Sequence, residues 1–196
     1  LLLSSPQRLA PLDIPQRALD VMSSSTIKHI SIASRRGPAQ VAFTAKELRE
    51  LLNLPDVAMI PIASELLATP EGASRQQSRI LDLLRKGSVA KPETAKKTWS
   101  LEFFRSPAKL IENGVEFNIN TLDEEERAVP TGLTEHVKTD LMVNSVGYRS
   151  EPLEPDWFNG ALGRVRQSGS RGQYEREGSP VREHYMRIVT SYRFDG

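Results

Sequence analysis

The chain has 196 residues, 38% of them hydrophobic, and 26 Lys and Arg face 25 Asp and Glu for a formal net charge of +1. That length and apolar content can build one good core or two small ones, and no apolar run is long enough to span a membrane. The absence of cysteine excludes disulfides, thiolate zinc sites and a protein-held iron–sulfur cluster in this chain, and a balance this close to neutral does not suit a nucleic-acid binder.

Leu1-Leu2-Leu3-Ser4-Ser5-Pro6 reads as the last turn of a helix stopped by proline. A polar, proline-bearing stretch from Ser5 to Ser25 follows, holding a short helical piece over Pro15 to Met22. Ile27-Lys28-His29-Ile30-Ser31-Ile32-Ala33 has the alternation of a strand. It runs out into Arg35-Arg36-Gly37-Pro38-Ala39-Gln40, so two guanidiniums stand at a strand tip. In a dinucleotide-binding fold the tip of the second strand faces the adenosine ribose, where an acid takes the 2′-hydroxyl of NAD and arginine accommodates the 2′-phosphate of NADP. A guanidinium suits phosphate because it forks onto two oxygens and stays charged. The plain alternative is a solvated turn.

Thr44-Ala45-Lys46-Glu47 fits a capping box, with Leu48, Leu51 and Leu52 at helical spacing and Pro55 as the stop. A second helix is expected from Gln76 to Lys86, with Ile80, Leu83 and Leu84 inward. Arg75, Arg79 and Lys86 fall within roughly 40° of one another on its other side, the ordinary pattern of a solvated face. From Thr98 the pattern turns to period two: Trp99, Leu101 and Phe103 alternate, then Val115, Phe117 and Ile119 after a turn at Glu112-Asn113-Gly114. These read as antiparallel strands. Asp123 to Glu126 is an acidic loop tip with a solvating role, and a buried strand is expected within Thr139 to Ser150, with Gly147 allowing close backbone approach. Gln167 to Gly178 is rich in Gly, Ser and Arg and reads as disordered.

The run from Arg35 to Glu50 closely resembles the NADP-binding segment of the mitochondrial adrenodoxin (ferredoxin)–NADP reductases, R-R-G-P-x-Q-V-A-F-T-x-K-E-L-R-E, and meets every fixed position of it. Phe103-Phe104-Arg105-Ser106-Pro107 matches a second signature of that family, F-F-R-S-P. The resemblance covers roughly residues 1 to 165. It implies an α/β fold: a partial three-layer, Rossmann-like NADP-binding domain of a two-dinucleotide-binding flavoprotein over 1–140 and the start of a return into the FAD domain over 141–165; the tail over 166–196 departs from the family and reads as atypical and disordered. The Gly-rich loop would lie upstream of Leu1, making the chain an internal piece of the enzyme.

By that resemblance the whole enzyme moves electrons from NADPH through FAD to a [2Fe–2S] ferredoxin or adrenodoxin. It is mitochondrial, in the matrix or in peripheral association with the inner membrane. Arg35, Arg36 and Glu47 would contact NADP, although Glu47 has an equally good role in the capping box. Arg49, Arg75 and Arg79 would face the acidic iron–sulfur protein. No residue has the look of a proton donor or nucleophile, and FAD elements would lie outside this chain. The rival readings are another NADP-linked oxidoreductase of the glutamate-synthase type and a non-catalytic remnant that touches only protein.

Charge is divided unevenly in a way that suits an acidic partner met by one face. Arg35 to Lys97 holds eleven Lys or Arg against seven Asp or Glu, and Leu101 to Trp157 holds five against twelve. The three histidines, His29, His136 and His184, have no metal-ligand spacing.

Overall fold

The protein is represented by a computed structural model that describes residues 1–145 and the strand residues 158–159, 164–165 and 186–191. Gly147, the crossing beyond Ser145, the Gly/Ser/Arg-rich segment 167–178 and His184 lie outside the described residues. In chain order come α1 (Pro6–Leu9), α2 (Gln16–Ser23), β1 (His29–Ser34), a 3-10 turn (Pro38–Gln40), α3 (Ala45–Leu52), β2 (Val57–Met59), a second 3-10 turn (Ser64–Leu67) and α4 (Arg75–Lys86). The strands β3 (Lys97–Glu102), β4 (Arg105–Ile111), β5 (Gly114–Leu122), β6 (Ala128–Lys138), β7 (Leu141–Val143), β8 (Phe158–Asn159), β9 (Arg164–Val165) and β10 (Met186–Ser191) follow.

One compact unit takes in residues 1–145 and 186–196. Its main sheet has the order β2-β3-β1-β10-β7. β1, β2 and β3 are parallel, with His29 opposite Thr98 and Val57 opposite Lys97, while β10 runs antiparallel to both β1 and β7. Ile30, Ile32, Val57, Met59, Trp99 and Leu101 turn one face of the strands to a core closed by Leu48 and Leu52 of α3 and Ile80, Leu81 and Leu84 of α4. The chain is therefore α/β, with a parallel sheet under helices. The second sheet is the antiparallel meander β4-β5-β6, and Val115 and Phe117 from it bury Ala33 of β1. In the second unit, 146–185, the described residues form one antiparallel pair, β8 with β9.

α3 starts as read, and α4 slightly earlier than expected. Ser74 accepts from Gln77 N and the Gln77 side chain takes Ser74 N, so α4 opens on a capping box one residue before its expected start. The buried stripe of α4 is Ile80, Leu81 and Leu84, with Leu83 only half-buried. α3 ends at Leu52, before Pro55, with Asn53 at its C-cap.

Four expectations are corrected. Leu1 to Ser4 form a turn, closed by Ser4 N–H donating to Leu1 O at 3.0 Å, and Pro6 begins α1 instead of ending a helix. Proline tolerates the first helical position because the missing N–H has no partner there anyway. β3 is a parallel strand of the main sheet. Trp99, Ser100 and Leu101 are buried in succession, as befits a strand flanked on both edges, and the antiparallel strands begin only at Arg105. The strand expected beyond Thr139 is the short, half-exposed β7. Finally, β10 lies in the tail that offered no element, where the Ile188-Val189-Thr190 run supplies the β-branched residues a strand favours.

Leu81 has 0% relative exposure at the centre of this core. Leu81→Ala is expected to lower unfolding free energy by about 2–5 kcal/mol, whereas Leu83→Ala should cost far less. Urea unfolding of the two variants side by side checks the assignment, and equal losses would place α4 in the wrong rotation.

Candidate functional site

β1 delivers Arg35 and Arg36 to the end of the parallel sheet from which its strands exit, and the following backbone is held from several sides. Phe104 N–H donates to Arg36 O at 3.3 Å, and Asn120 Nδ2 donates to Arg35 O at 3.1 Å. Asn120 N–H in turn donates to Phe104 O at 2.8 Å, and its Nδ2 also reaches Ser106 Oγ at 2.7 Å. Arg36 Nη2 folds back onto Gln40 O at 3.2 Å. The turn is thus fastened to the first residues of β4 and to mid-β5.

Two backbone features make this junction fit. Gly37 lies against the Phe104 ring, so a Cβ there would meet Phe104 Cζ at 2.6 Å and Gln40 Oε1 at 3.0 Å. Phe104 itself has φ +58°, the left-handed region, which for an aromatic residue costs on the order of 1–3 kcal/mol. A β-bulge between Asn118 and Asn120 shifts the β5 alternation, so Asn120 is buried where period two would have continued with Ile119.

Glu47 begins α3 beside this turn. Its Oε2 accepts from Thr44 N at 2.7 Å and from Thr44 Oγ1 at 2.8 Å, while Glu47 N–H donates to Thr44 Oγ1 at 3.2 Å. The capping box is therefore formed, and the Thr44 amide holds the Glu47 carboxyl below the usual glutamate range.

Gln77 links the other helix to the same place, its Nε2 donating to Ala39 O at 3.0 Å. That bond sets the first turn of α4, and with it Arg75, beside Pro38–Gln40. Arg75 and Arg79 are exposed on α4. Arg49 is half-buried on α3, which packs against α4, and lines an open groove of about 500 Å³ with Arg8, Lys46, Leu9 and Leu12. The acidic hairpin tip comes close as well: Gln40 Nε2 donates to Glu126 Oε1 at 3.1 Å. Asp123 in that tip accepts from Arg127 Nε and from the amides of Glu125 and Arg127, and the Arg127 amide holds its carboxyl below the usual aspartate range.

The two described histidines, His29 and His136, hold structural places. His29 bonds Thr98 Oγ1 at 2.8 Å and Ser31 and Ser100 Oγ at 3.1 Å, and burial pushes its pKa down. His136 Nε2 meets Glu116 Oε2 at 2.7 Å across β5 and β6. No group of three or more metal-ligating side chains gathers among the described residues.

No family model matches the chain. The mitochondrial NADPH:adrenodoxin oxidoreductase of Rattus norvegicus is 35% identical over 193 residues, or 87% of this chain and 39% of that protein. The Homo sapiens protein of the same name is 35% identical over 185 residues, 83% of this chain and 38% of its own length. Among solved structures, the Mycobacterium tuberculosis oxidoreductase FprA in complex with NADPH superposes with a TM-score of 0.72 at 28% identity, covering 87% of this chain and 40% of that one. The chain therefore spans about two-fifths of the length of the relatives it matches. Its resemblance to the reductases is borne out, and its fold is that of a two-dinucleotide-binding reductase over that span.

The lowered Glu47 carboxyl has a consequence for pH. A group whose folded pKa lies below its unfolded value stabilises the fold fully above the unfolded value, here the ordinary 4.5, and loses that contribution as pH falls through the folded one. Glu47→Gln should melt close to wild type below this window yet show a smaller gain on going from pH 3 to pH 6. Thermal melts across that range check it, and parallel curves for the two proteins would remove the carboxylate from the cap.

Proposed function

We propose that this chain, homologous to the NADPH:adrenodoxin oxidoreductases over two-fifths of their length, supplies NADP 2′-phosphate recognition to an NADPH-dependent flavoprotein reductase. In that reading residues 1–140 are part of an NADP-binding domain and 141–165 begin the return into an FAD domain. The observation that carries it is the placing of Arg35 and Arg36 at the exit end of a parallel strand, where open α/β sheets bind nucleotides. The residues present fit the group: two guanidiniums stand side by side after the strand, Gly37 lets the turn close against the Phe104 ring, and Arg36 is steadied by Gln40 O. Arg35 and Arg36 would hold the 2′-phosphate, and Glu47 would contribute through the α3 terminus it caps.

In the whole enzyme, bound NADPH and FAD would supply the hydride and electron-transfer chemistry, with a [2Fe–2S] ferredoxin or adrenodoxin as the acceptor. This chain's own side chains bind and orient. The names of its relatives favour this reading over a glutamate-synthase-type oxidoreductase, and they support a mitochondrial setting; within it, we assign the enzyme to the matrix or to the periphery of the inner membrane. Arg49, Arg75 and Arg79 are the residues we assign to the acidic protein partner, since α3 and α4 pack together and Gln77 ties α4 to the cofactor turn.

Each charge-assisted bond to the 2′-phosphate should be worth about 1.5–3 kcal/mol. Replacing Arg35 and Arg36 by alanine in the complete enzyme should cut kcat/KM for NADPH by roughly a hundredfold or more while NADH changes little. Equal loss with both cofactors would make the pair structural.

For the partner surface, charge reversal at Arg75 and Arg79 should raise the apparent ferredoxin KM steeply at low salt. Long-range attraction steers encounter and fades as the Debye length shrinks to about 10 Å at 0.1 M. Flavin reduction by NADPH should be almost untouched. Stopped-flow measurement of the two half-reactions separately tests this, and an unaltered ferredoxin step would leave α4 a solvated face.

A further inference from the structure

Recognition of a phosphate by two arginines depends on where their main chain holds them. β1 ends at Ser34, so the carbonyls of Arg35 and Arg36 leave the parallel ladder and need donors from elsewhere. Both donors come from the antiparallel extension: Asn120 Nδ2 for Arg35 O and Phe104 N–H for Arg36 O. The Asn120 amide can sit only one way round, because Arg35 O is an acceptor and must face the NH₂ group. Both of its hydrogens are used, the second on Ser106 Oγ. Asn120 is 6% exposed, deep in a strand whose other inward residues are apolar. Phe104 adopts the left-handed conformation that aims its N–H at the turn, and its ring fills the space left open by Gly37.

We infer that Asn120 and Phe104 are positioning residues for cofactor choice: they fix the carbonyls of Arg35 and Arg36 and so the direction in which the two guanidiniums leave the strand. This rests on the reading that the arginine pair takes the 2′-phosphate. The role requires no contact between either residue and the cofactor. Loss of either hydrogen bond swings the pair away from a phosphate that only NADP carries, so NADP suffers and NAD does not.

The test is calorimetric titration of the complete enzyme with NADP+ and with NAD+, accompanied by melting curves. Asn120→Ala and the near-isosteric Asn120→Leu should each weaken NADP+ binding roughly tenfold with NAD+ unchanged, because both remove the donor and only one removes the bulk. Gly37→Ala should weaken NADP+ in the same selective way by pressing on the Phe104 ring, and adding Phe104→Leu should restore much of the loss. That second pair leaves Asn120 in place, so it decides the matter even where an Asn120 variant does not fold. Arg35→Ala with Arg36→Ala is the control. If the control narrows the NADP+/NAD+ ratio while Asn120→Leu and Gly37→Ala leave it unmoved, the positioning role is overturned. Equal weakening of both cofactors overturns it too, by showing general damage. A control that fails to narrow the ratio refutes the 2′-phosphate reading itself, and the positioning role with it.

Discussion

The structure turns on the hydrogen bonds that meet where β1 leaves the parallel sheet. Arg35 O and Arg36 O face away from the β3 ladder, and a bare end there would leave two main-chain acceptors to compete for water. Instead the antiparallel sheet is set against them, with Asn120 bonded at once to Arg35 O, Phe104 O and Ser106 Oγ. This one junction joins the helix-covered parallel sheet to the meander β4-β5-β6. It demands a glycine at Gly37 and a left-handed residue at Phe104, which explains why two motifs far apart in sequence occur together in one chain.

The helices are aligned to the same junction. α3 and α4 each open on a reciprocal cap, Thr44 with Glu47 and Ser74 with Gln77, and Gln77 has an amide hydrogen left over for Ala39 O. Charge follows the same geometry. The basic and acidic halves of the chain are brought into contact at Gln40 and Glu126, through a neutral amide. Much of the acid run is engaged within its own hairpin, where Arg127 pairs with both Asp123 and Glu125. The division of charge along the sequence is therefore partly neutralised locally, and the exposed cations of α4 remain the basic feature that a partner could meet.

Much of this was legible beforehand. The Thr44–Glu47 capping box, the apolar stripe of α3 and the Arg35–Arg36 strand tip follow from local rules that depend on residues three or four apart, whereas the α4 stripe was placed on Leu83 where Leu81 is the buried residue. The misread strands share a cause in long-range pairing. Nothing near Trp99 says that its neighbours run parallel, because that is decided by β1 and β2 some forty to seventy residues earlier. Ile188-Val189-Thr190 could have been read as a strand, but its place between β1 and β7 could not. Asn120 was hidden for another reason: the bulge after Asn118 reverses the alternation, so a buried asparagine looks like a surface one. Phe104 sat in plain view within F-F-R-S-P, and only its φ of +58° shows what that residue does there.

Magnitudes explain why such a junction suits specificity better than stability. The left-handed Phe104 costs on the order of 1–3 kcal/mol. Each neutral hydrogen bond across the junction contributes about 0.5–1.5 kcal/mol net, and there are four: those to Arg35 O, Arg36 O, Phe104 O and Ser106 Oγ. The bonds outweigh the strain by about 2 kcal/mol, a modest share next to the core of Trp99, Leu81 and their neighbours. What the bonds do contribute is direction. Two long side chains can face one phosphate together only if their Cα atoms are held, since each arginine already loses about 1.5–2 kcal/mol of rotamer freedom on binding and a mobile main chain would add its own loss to that. The clamp does this without stiffening the core, and it leaves the Arg35–Arg36 turn to be tuned by residues other than the arginines proposed to hold the phosphate.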